Sequence, residues 1–245
     1  MSDQAVDTDD ELETDFEEPG NERPGWSRWV IIGGSMLAVL LIGAAIGVFA
    51  TRLTDGSDTA TATPGAGSVE VGFAQDMSTH HLQAVTMASW ARDHTTDPEV
   101  KQLAFDIEST QTEQVGRMKG WLMLWGQPEQ STGAPMAWMT EPMGHGMHMS
   151  AGSAADGAVM PGMATDADLA KLRSLTGKAM DVDFLQLMLR HHEGGTAMAE
   201  YAQQHSNVPA VKALCQSMLT SQGAEMDQMK LMLAARGAKP LPFSS

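Results

Sequence analysis

The sequence of 245 residues contains one cysteine, Cys215, so no disulfide can form within the chain. It has no basic stripe and no aromatic platform of the kind that binds nucleic acid, and its formal charge of −16 would repel a polyanion. No stretch is rich in β-forming residues, and no nucleophile, paired carboxylates or cofactor-binding loop stands out. These absences exclude nucleic-acid binding, argue against an enzyme and favour an all-α protein.

One segment lacks charge altogether. Residues Trp29 to Thr51 form an uncharged run of 23 residues, which as a helix spans roughly 34 Å and would cross a bilayer's hydrocarbon core of about 30 Å. We therefore predict one transmembrane helix, and Arg23 and Arg28 before it, against Arg52 alone after it, favour a cytoplasmic N terminus. The alternative is a cleaved signal peptide, because small residues occur at suitable places in Val48 to Ala50. The long, acidic region before the segment favours an uncleaved anchor.

These features divide the chain into regions. We predict an acidic, disordered cytoplasmic leader at 1–28, a transmembrane helix at 29–51 and a flexible tether at 52–69. Residues 70–240 then form a four-helix bundle on the extracytoplasmic side. Its parts are a first repeat at 70–126, a methionine-rich loop at 127–165 and a second repeat at 166–240.

The bundle region contains the same pattern twice, at a constant spacing of 111 positions and without a gap. The residues of the first copy include Phe73, Met77, His80, His81, Met87, Ala88, His94, Gln111 and Met118, which return in the second as Phe184, Met188, His191, His192, Met198, Ala199, His205, Gln222 and Met229. Histidine, methionine and glutamine are prominent among the residues kept. The duplication therefore indicates a shared function of these side chains as well as a shared fold.

Each copy is predicted to be a helical hairpin. Asp97 is a suitable N-cap for a helix that starts at Pro98. The first hairpin is predicted to have helices from about Val69 to Asp93 and from Pro98 to Leu124 or Trp125. The second copy begins with a short helix that starts near Asp166 or Asp168. Its hairpin has helices from about Lys178 to Gln204 and from Pro209 to Arg236. Since one hairpin cannot bury its apolar face alone, two of them imply a four-helix bundle with a pseudo-twofold axis.

The repeated histidines and methionines are typical ligands of a soft metal ion. All eight histidines and 18 of the 20 methionines lie beyond residue 70, and imidazole with thioether suits copper(I), with copper(II) accepted through the histidines. The predicted ligands are Met77, His80, His81, Met87, His94, Met118, His145, Met147, His148, Met149, Met188, His191, His192, Met198, His205 and Met229. Gln111, Gln222 and Glu225 are predicted to orient the imidazoles by hydrogen bonds. The alternative for any single methionine is that it fills the core.

The spacing of these residues supports the assignment. Residues seven apart lie on one face of a helix, so His80, Met87 and His94 share a face in the first copy. Met77 lies four residues before His81 and can share a face with it. Bundles that bind two iron or manganese ions use Glu-x-x-His, and this chain contains no such motif. The pattern therefore favours a softer ion than iron, and the absence of cysteine sets disfavours zinc.

The linker at 127–165 is dense in Gly, Pro, Ala and Met and shows little periodicity. Its centre, Gly144 to Met149, has candidate ligands but few neighbours for packing. We predict a flexible loop without a core of its own that captures metal. The alternative is a low-complexity loop whose composition has no function.

Together these motifs resemble the family called domain of unknown function 305, which has a Met-x-x-His-His element, a Met-Ala pair and a Gln-x-x-Glu element ending in Met. This chain has them at Met77 to His81 with Met87-Ala88, at Met188 to His192 with Met198-Ala199, and at Gln222 to Met229. The first copy departs from the pattern by having Gln114 in place of glutamate. The resemblance implies a ferritin-like four-helix fold, a secreted or membrane-anchored location and, in some members, copper binding.

The sequence thus predicts a membrane-anchored extracytoplasmic protein that sequesters or transfers copper. A copper donor or acceptor protein and a homodimer are the partners considered. Two other functions stay open: a metal-dependent redox enzyme in a ferritin-like bundle, which would show turnover, and a metal-free helical interaction module, whose melting temperature copper would not change.

Overall fold

The computed structural model describes residues 63–140 and 158–243, which form five α-helices and no β-strand. The helices are α1 at Val69–His94, α2 at Pro98–Leu124, α3 at Asp166–Ser174, α4 at Gly177–His205 and α5 at Pro209–Ala235. The predicted all-helical fold is confirmed, and the four long helices begin and end within one residue of the predicted bounds.

Local hydrogen bonds fix several of the helix starts. The Asp97 carboxylate accepts from the backbone N–H groups of Glu99 and Val100, and Pro98 occupies the first turn, where its missing N–H is not needed. The short α3 begins with a capping box, in which Thr165 and Asp168 each bond the backbone N–H of the other. These starts depend on neighbouring residues only, which is why the sequence predicts them.

The long helices pack as two hairpins. Helix α1 packs along α2, and α4 packs along α5; α1 and α4 then pack on each other, and α3 lies against α4. The two first helices of the hairpins therefore form the centre of the structure.

Two equivalent hydrogen bonds fasten each hairpin to the other. Thr95 Oγ1, in the turn after α1, donates to Asp181 at the start of α4 over 2.6 Å. Ser206 Oγ, in the turn after α4, donates to Glu70 at the start of α1 over 2.8 Å. The two bonds exchange under the shift of 111 positions, and they require α1 and α4 to run antiparallel. The hairpins are thus related by a pseudo-twofold axis between these helices.

The apolar core falls into two clusters. The Phe73 cluster combines the beginning of α1, the end of α2, the end of α4 and the beginning of α5. The Phe184 cluster combines the opposite halves of the same helices with Leu172 of α3. Each cluster therefore takes residues from both copies, and a layer of polar residues lies between them.

Both ends of the linker pack into this fold, which corrects the prediction of a linker without a core. Trp138, Met160 and Met163 are buried in the Phe73 cluster. The Asp76 carboxylate accepts from the backbone N–H of Met136 over 2.6 Å and from Trp138 Nε1 over 2.8 Å. The prediction failed because the burial of an aperiodic segment depends on contacts with distant residues.

None of the helices in 63–140 and 158–243 has the length and apolar content to cross a membrane. The transmembrane helix predicted at 29–51 lies outside the described residues, as does the centre of the methionine-rich loop.

Candidate metal centre

Eight polar residues, two from each long helix, form the layer between the two apolar clusters. This polar layer consists of His80, His81, Gln111, Gln114, His191, His192, Gln222 and Glu225. All are buried except Glu225, whose side chain is 14% exposed. Buried polar groups are normally paired because leaving them unpaired costs free energy, so the bonds within the layer are informative.

The outer two imidazoles of the layer are held by the hairpin partners. His81 Nε2 donates to Gln114 Oε1 over 2.8 Å, and His192 Nε2 donates to Glu225 Oε2 over 2.7 Å. The two bonds are equivalent under the repeat. Each joins the first helix of a hairpin to the second helix.

The inner two imidazoles meet at the pseudo-twofold axis. The ring centroids of His80 and His191 are 3.7 Å apart. His191 Nε2 donates to the backbone carbonyl of His80 over 3.0 Å, whereas His80 Nε2 donates to the carbonyl of Pro161 in the linker over 3.3 Å. The linker thus contacts the layer directly. Because the two inner histidines bond different carbonyl groups, the two copies are not equivalent here.

Because each Nε2 carries the proton that it donates, the Nδ1 atom of a neutral imidazole has a free lone pair. The Nδ1 atoms of His80, His81 and His192 are buried and have no hydrogen-bond partner among the described residues. Burial lowers the pKa of His80 and His81 to about 3, and burial with the nearby histidines lowers the pKa of His191 well below its usual value. Neutral imidazoles fixed through one nitrogen are the form that binds metal through the other.

Space and further unpaired atoms lie beside these lone pairs. A Cβ atom on Gly195 would come within 3.2 Å of His80 Cε1 and 3.5 Å of both His80 Nδ1 and Gln222 Oε1, so glycine keeps this place clear. The amide oxygen and nitrogen of Gln111 are buried without a partner in the described structure. The layer therefore has more acceptors and donors than its own hydrogen bonds satisfy.

The repeated methionines lie on both sides of the layer. Met77, Met118 and Met198 belong to the Phe73 cluster. Their repeat counterparts, Met188, Met229 and Met87, belong to the Phe184 cluster, and all six are 0–1% exposed. Each group combines two methionines of one copy with one of the other, so thioethers from both repeats flank the histidines.

Within the described residues, no three His, Cys, Asp or Glu side chains are placed to hold one metal ion. A site in the layer therefore requires thioether, amide or backbone ligands in addition to imidazole. The free thiol of Cys215 is buried in the Phe73 cluster, where burial raises its pKa to about 12.

Other predicted ligands do not join the layer. His94 and His205 lie at the C-terminal ends of α1 and α4, each stacked on the aromatic residue four positions earlier, Trp90 and Tyr201. Fourteen residues of helix separate His94 from His80, roughly 21 Å. His145, Met147, His148 and Met149 lie outside the described residues.

The contact of the linker with the layer was not predicted from the sequence. Pro161 bonds His80, and Gln83 bonds both the N–H and the carbonyl of Ala164 over 2.7 and 2.9 Å. Gln83 aligns with Gly194 in the repeat. Such an exchange of a long side chain for glycine is a signal that a third segment packs differently on the two copies.

Comparisons with known proteins agree with this helical fold. A profile of the family described as domain of unknown function, DUF305, matches residues 70–233. A DUF305 protein of Streptomyces coelicolor, described as secreted, has 44% identity over 73% of this chain and 99% of its own, with a TM-score of 0.64. A DUF305 fragment from Deinococcus radiodurans has 32% identity over 68% of this chain and 96% of its own, with a TM-score of 0.54.

The protein CopM is also similar. Its Cu(II)-bound form has 28% identity over 68% of this chain and 96% of its own, with a TM-score of 0.50. Its Cu(I)-bound form has 23% identity over the same shares, with a TM-score of 0.51, a likeness that concerns the fold alone. No curated protein matches the chain.

Proposed function

This chain belongs to the DUF305 family, and from that premise we propose that it is an extracytoplasmic protein that binds copper and sequesters it or passes it on. The observation that carries the proposal is the buried polar layer with its unpaired Nδ1 lone pairs at His80, His81 and His192. A metal ion bound there would satisfy atoms that otherwise lose free energy by burial.

The residues beside the layer favour a soft ion. Six repeated methionines flank the four buried imidazoles, and thioether with imidazole suits copper(I) better than a hard cation. The Cu(II)-bound neighbour CopM, at 28% identity, supports copper as the metal. We propose copper(I) as the main cargo, bound by the histidines of the layer with Met77, Met188 and their neighbours, and copper(II) as a second cargo bound through imidazole.

The remaining predicted ligands have a different role in this proposal. His94 and His205 lie at helix ends near solvent, and His145, Met147, His148 and Met149 belong to the linker. We propose that these groups capture copper at the surface, before it reaches the layer. The separation of His94 and His205 from the layer makes the two roles independently testable.

The sequence and the relatives support the proposed location. The secreted DUF305 protein of Streptomyces coelicolor supports an extracytoplasmic bundle. We propose that residues 29–51 anchor it as a single transmembrane helix and that 52–69 is the tether of a ferritin-like four-helix bundle. A copper donor or acceptor protein and a second copy of the chain are the proposed partners.

The test is an anaerobic copper(I) titration of the full chain against a competing chelator. Replacing His80, His81, His191 and His192 together with glutamine should remove most high-affinity binding while circular dichroism shows the helices intact. The double variant His94→Gln/His205→Gln is the matched control and should keep the tight sites.

A third variant separates surface capture from storage. Replacing His145, Met147, His148 and Met149 with serine should leave the tight sites and slow their loading. Unchanged copper stoichiometry and affinity in the fourfold glutamine variant would refute the assignment of the layer. A parent chain whose melting temperature copper does not raise would instead support the metal-free interaction module.

A further inference from the structure

The two halves of the polar layer differ in one charged group. Six of the eight residues of the layer are identical under the repeat, as three pairs, and the fourth pair is Gln114 and Glu225. Both side chains accept the Nε2–H of the corresponding histidine, over 2.8 and 2.7 Å. The halves therefore have the same hydrogen bond but differ by one negative charge.

This charge matters because the imidazoles are shielded from water and the Glu225 side chain is only 14% exposed. His81 and His192 are fully buried, and Gln114 is 2% exposed. A monovalent cation on His81 would leave its half with a net positive charge, whereas a cation on His192 would be balanced by the Glu225 carboxylate. An uncompensated buried charge is strongly unfavourable, so the two halves cannot have equal affinity.

The hydrogen bond adds a second effect in the same direction. A carboxylate that accepts the N–H of an imidazole increases the basicity of the opposite nitrogen more than an amide does, and loss of such a partner lowers metal affinity by about 10- to 100-fold. The Nδ1 atoms of both His81 and His192 are the unpartnered ones. The effect therefore acts on the atoms that would bind the ion.

We propose that Glu225 is a positioning residue that makes the His192 half of the layer the first to bind a monovalent soft cation, with the His81 half second. This inference rests on the proposed function, and it makes the two repeats a stronger and a weaker site. Transfer to or from the protein would then use the His81 half, while the His192 half stays filled.

The order of loading can be measured with silver(I), which does not change oxidation state during the experiment. One equivalent is added to the full chain labelled with ¹⁵N at histidine, and the imidazole resonances are followed. We expect the His192 signals to shift first and the His81 signals to follow with the second equivalent. Simultaneous shifts, or His81 first, would overturn the inference; a parent that binds no silver(I) would refute the proposed function itself.

Two substitutions test whether Glu225 sets this order. Glu225→Gln should weaken the tighter site by about 10- to 100-fold and remove the order, since both halves then carry an amide. Gln114→Glu should strengthen the His81 site by a similar factor, a gain that loss of structure cannot produce. Unchanged silver(I) affinity in Glu225→Gln would overturn the proposal.

Glu193→Gln is the matched control. Glu193 follows His192 directly in α4 and carries the same charge as Glu225, but no hydrogen bond joins it to an imidazole in the described structure. We expect its silver(I) affinity to be close to that of the parent. A loss as large as that in Glu225→Gln would show that total charge, without the hydrogen bond, sets the order, and would overturn the role given to Glu225.

Discussion

The two copies of the hairpin agree where they face each other and differ where the linker lies. The bonds of Thr95 to Asp181 and of Ser206 to Glu70 are equivalent, as are those of the outer histidines of the polar layer. Among the positions that differ on α1 and α4 are Gly72 against Asp183, Asp76 against Leu187, and Gln83 against Gly194.

Each of these three differences lies at a contact with the linker. Gly72 leaves room for Trp138, whose ring atoms would lie 2.3 Å from an added Cβ, and Asp76 binds the same indole. In the second copy, Gly194 lies against Pro161, whose carbonyl oxygen would be 2.0 Å from an added Cβ. A single linker cannot contact two related helices in the same way. The linker is therefore a source of asymmetry in an otherwise duplicated fold.

The largest expected effect comes from removing the linker's anchor. Trp138 is 6% exposed and packs edge-on against Phe73 and Tyr201. Trp138→Ala should lower the free energy of unfolding by about 3–5 kcal/mol, measured by urea denaturation. Leu231→Ala, at a side chain that is 72% exposed, is the control. A loss no larger than in this control would show that the linker is not part of the folded core.

The buried histidines predict a pH dependence of stability in the metal-free protein. The pKa of His80 and His81 is about 3 in the fold and about 6.5 in an unfolded chain. The unfolded state therefore binds more protons below pH 6.5, so stability falls as the pH decreases towards 3. Between pH 7 and pH 5, protonation of each imidazole in the unfolded state should lower the free energy of unfolding by about 2 kcal/mol.

Urea denaturation at the two pH values checks this prediction. His81→Gln should lose less stability between pH 7 and pH 5 than the parent does, by about 2 kcal/mol. The same pH dependence in both proteins would contradict the assignment of His81 as a buried neutral imidazole.

The two equivalent hydrogen bonds between the hairpins can be compared by substituting their donors. Thr95→Val removes a donor to the buried Asp181 and should lower stability by about 1.5–3 kcal/mol. Ser206→Ala should lower it less, because Glu70 keeps the bond from the backbone N–H of Asn207 over 2.7 Å. Thermal unfolding of the two variants under the same conditions gives the comparison. A larger loss in Ser206→Ala would contradict this order.

The smallest expected effects concern two glycines on helices. Gly194→Ala should lower stability by about 1–3 kcal/mol, since its Cβ meets backbone atoms of Pro161 and Gly162 that cannot move freely. Gly116→Ala in α2, where nothing lies within 4 Å of the added atom, should raise stability by up to about 1 kcal/mol. If the melting temperature rises in both variants, the linker must move to accommodate the added Cβ atom at Gly194.

Most of the helical framework could be predicted because its signals are local. Asp97 and Pro98 start α2 by bonds within one turn, and the constant spacing of the repeat implies that the hairpins are equivalent. The sequence also identified the histidines that form the polar layer. It could not show that His94 and His205 lie far from that layer, because a shared helix face does not reveal where along the helix a partner packs.

The packing of the linker could not be predicted from the sequence for a related reason. Trp138 and Met160 belong to a segment without periodicity, so their burial depends on the shape of a core built by residues far away in the chain. The unequal residues in the repeat, such as Asp76 against Leu187, were the available signal. They become interpretable only once the equivalent positions are compared one by one.

The reciprocal bonds of Thr95 and Ser206 also bear on how such a fold can arise. Each hairpin carries a carboxylate at its start and a hydroxyl at its turn, so its inner surface is complementary to a rotated duplicate of itself. A surface of this kind forms the isologous contact on which symmetric dimers are built. The protein thus contains, within one polypeptide, an interface of the kind that joins the two copies of a symmetric dimer. A shift of 111 positions in the sequence corresponds to a rotation of half a turn about the pseudo-twofold axis.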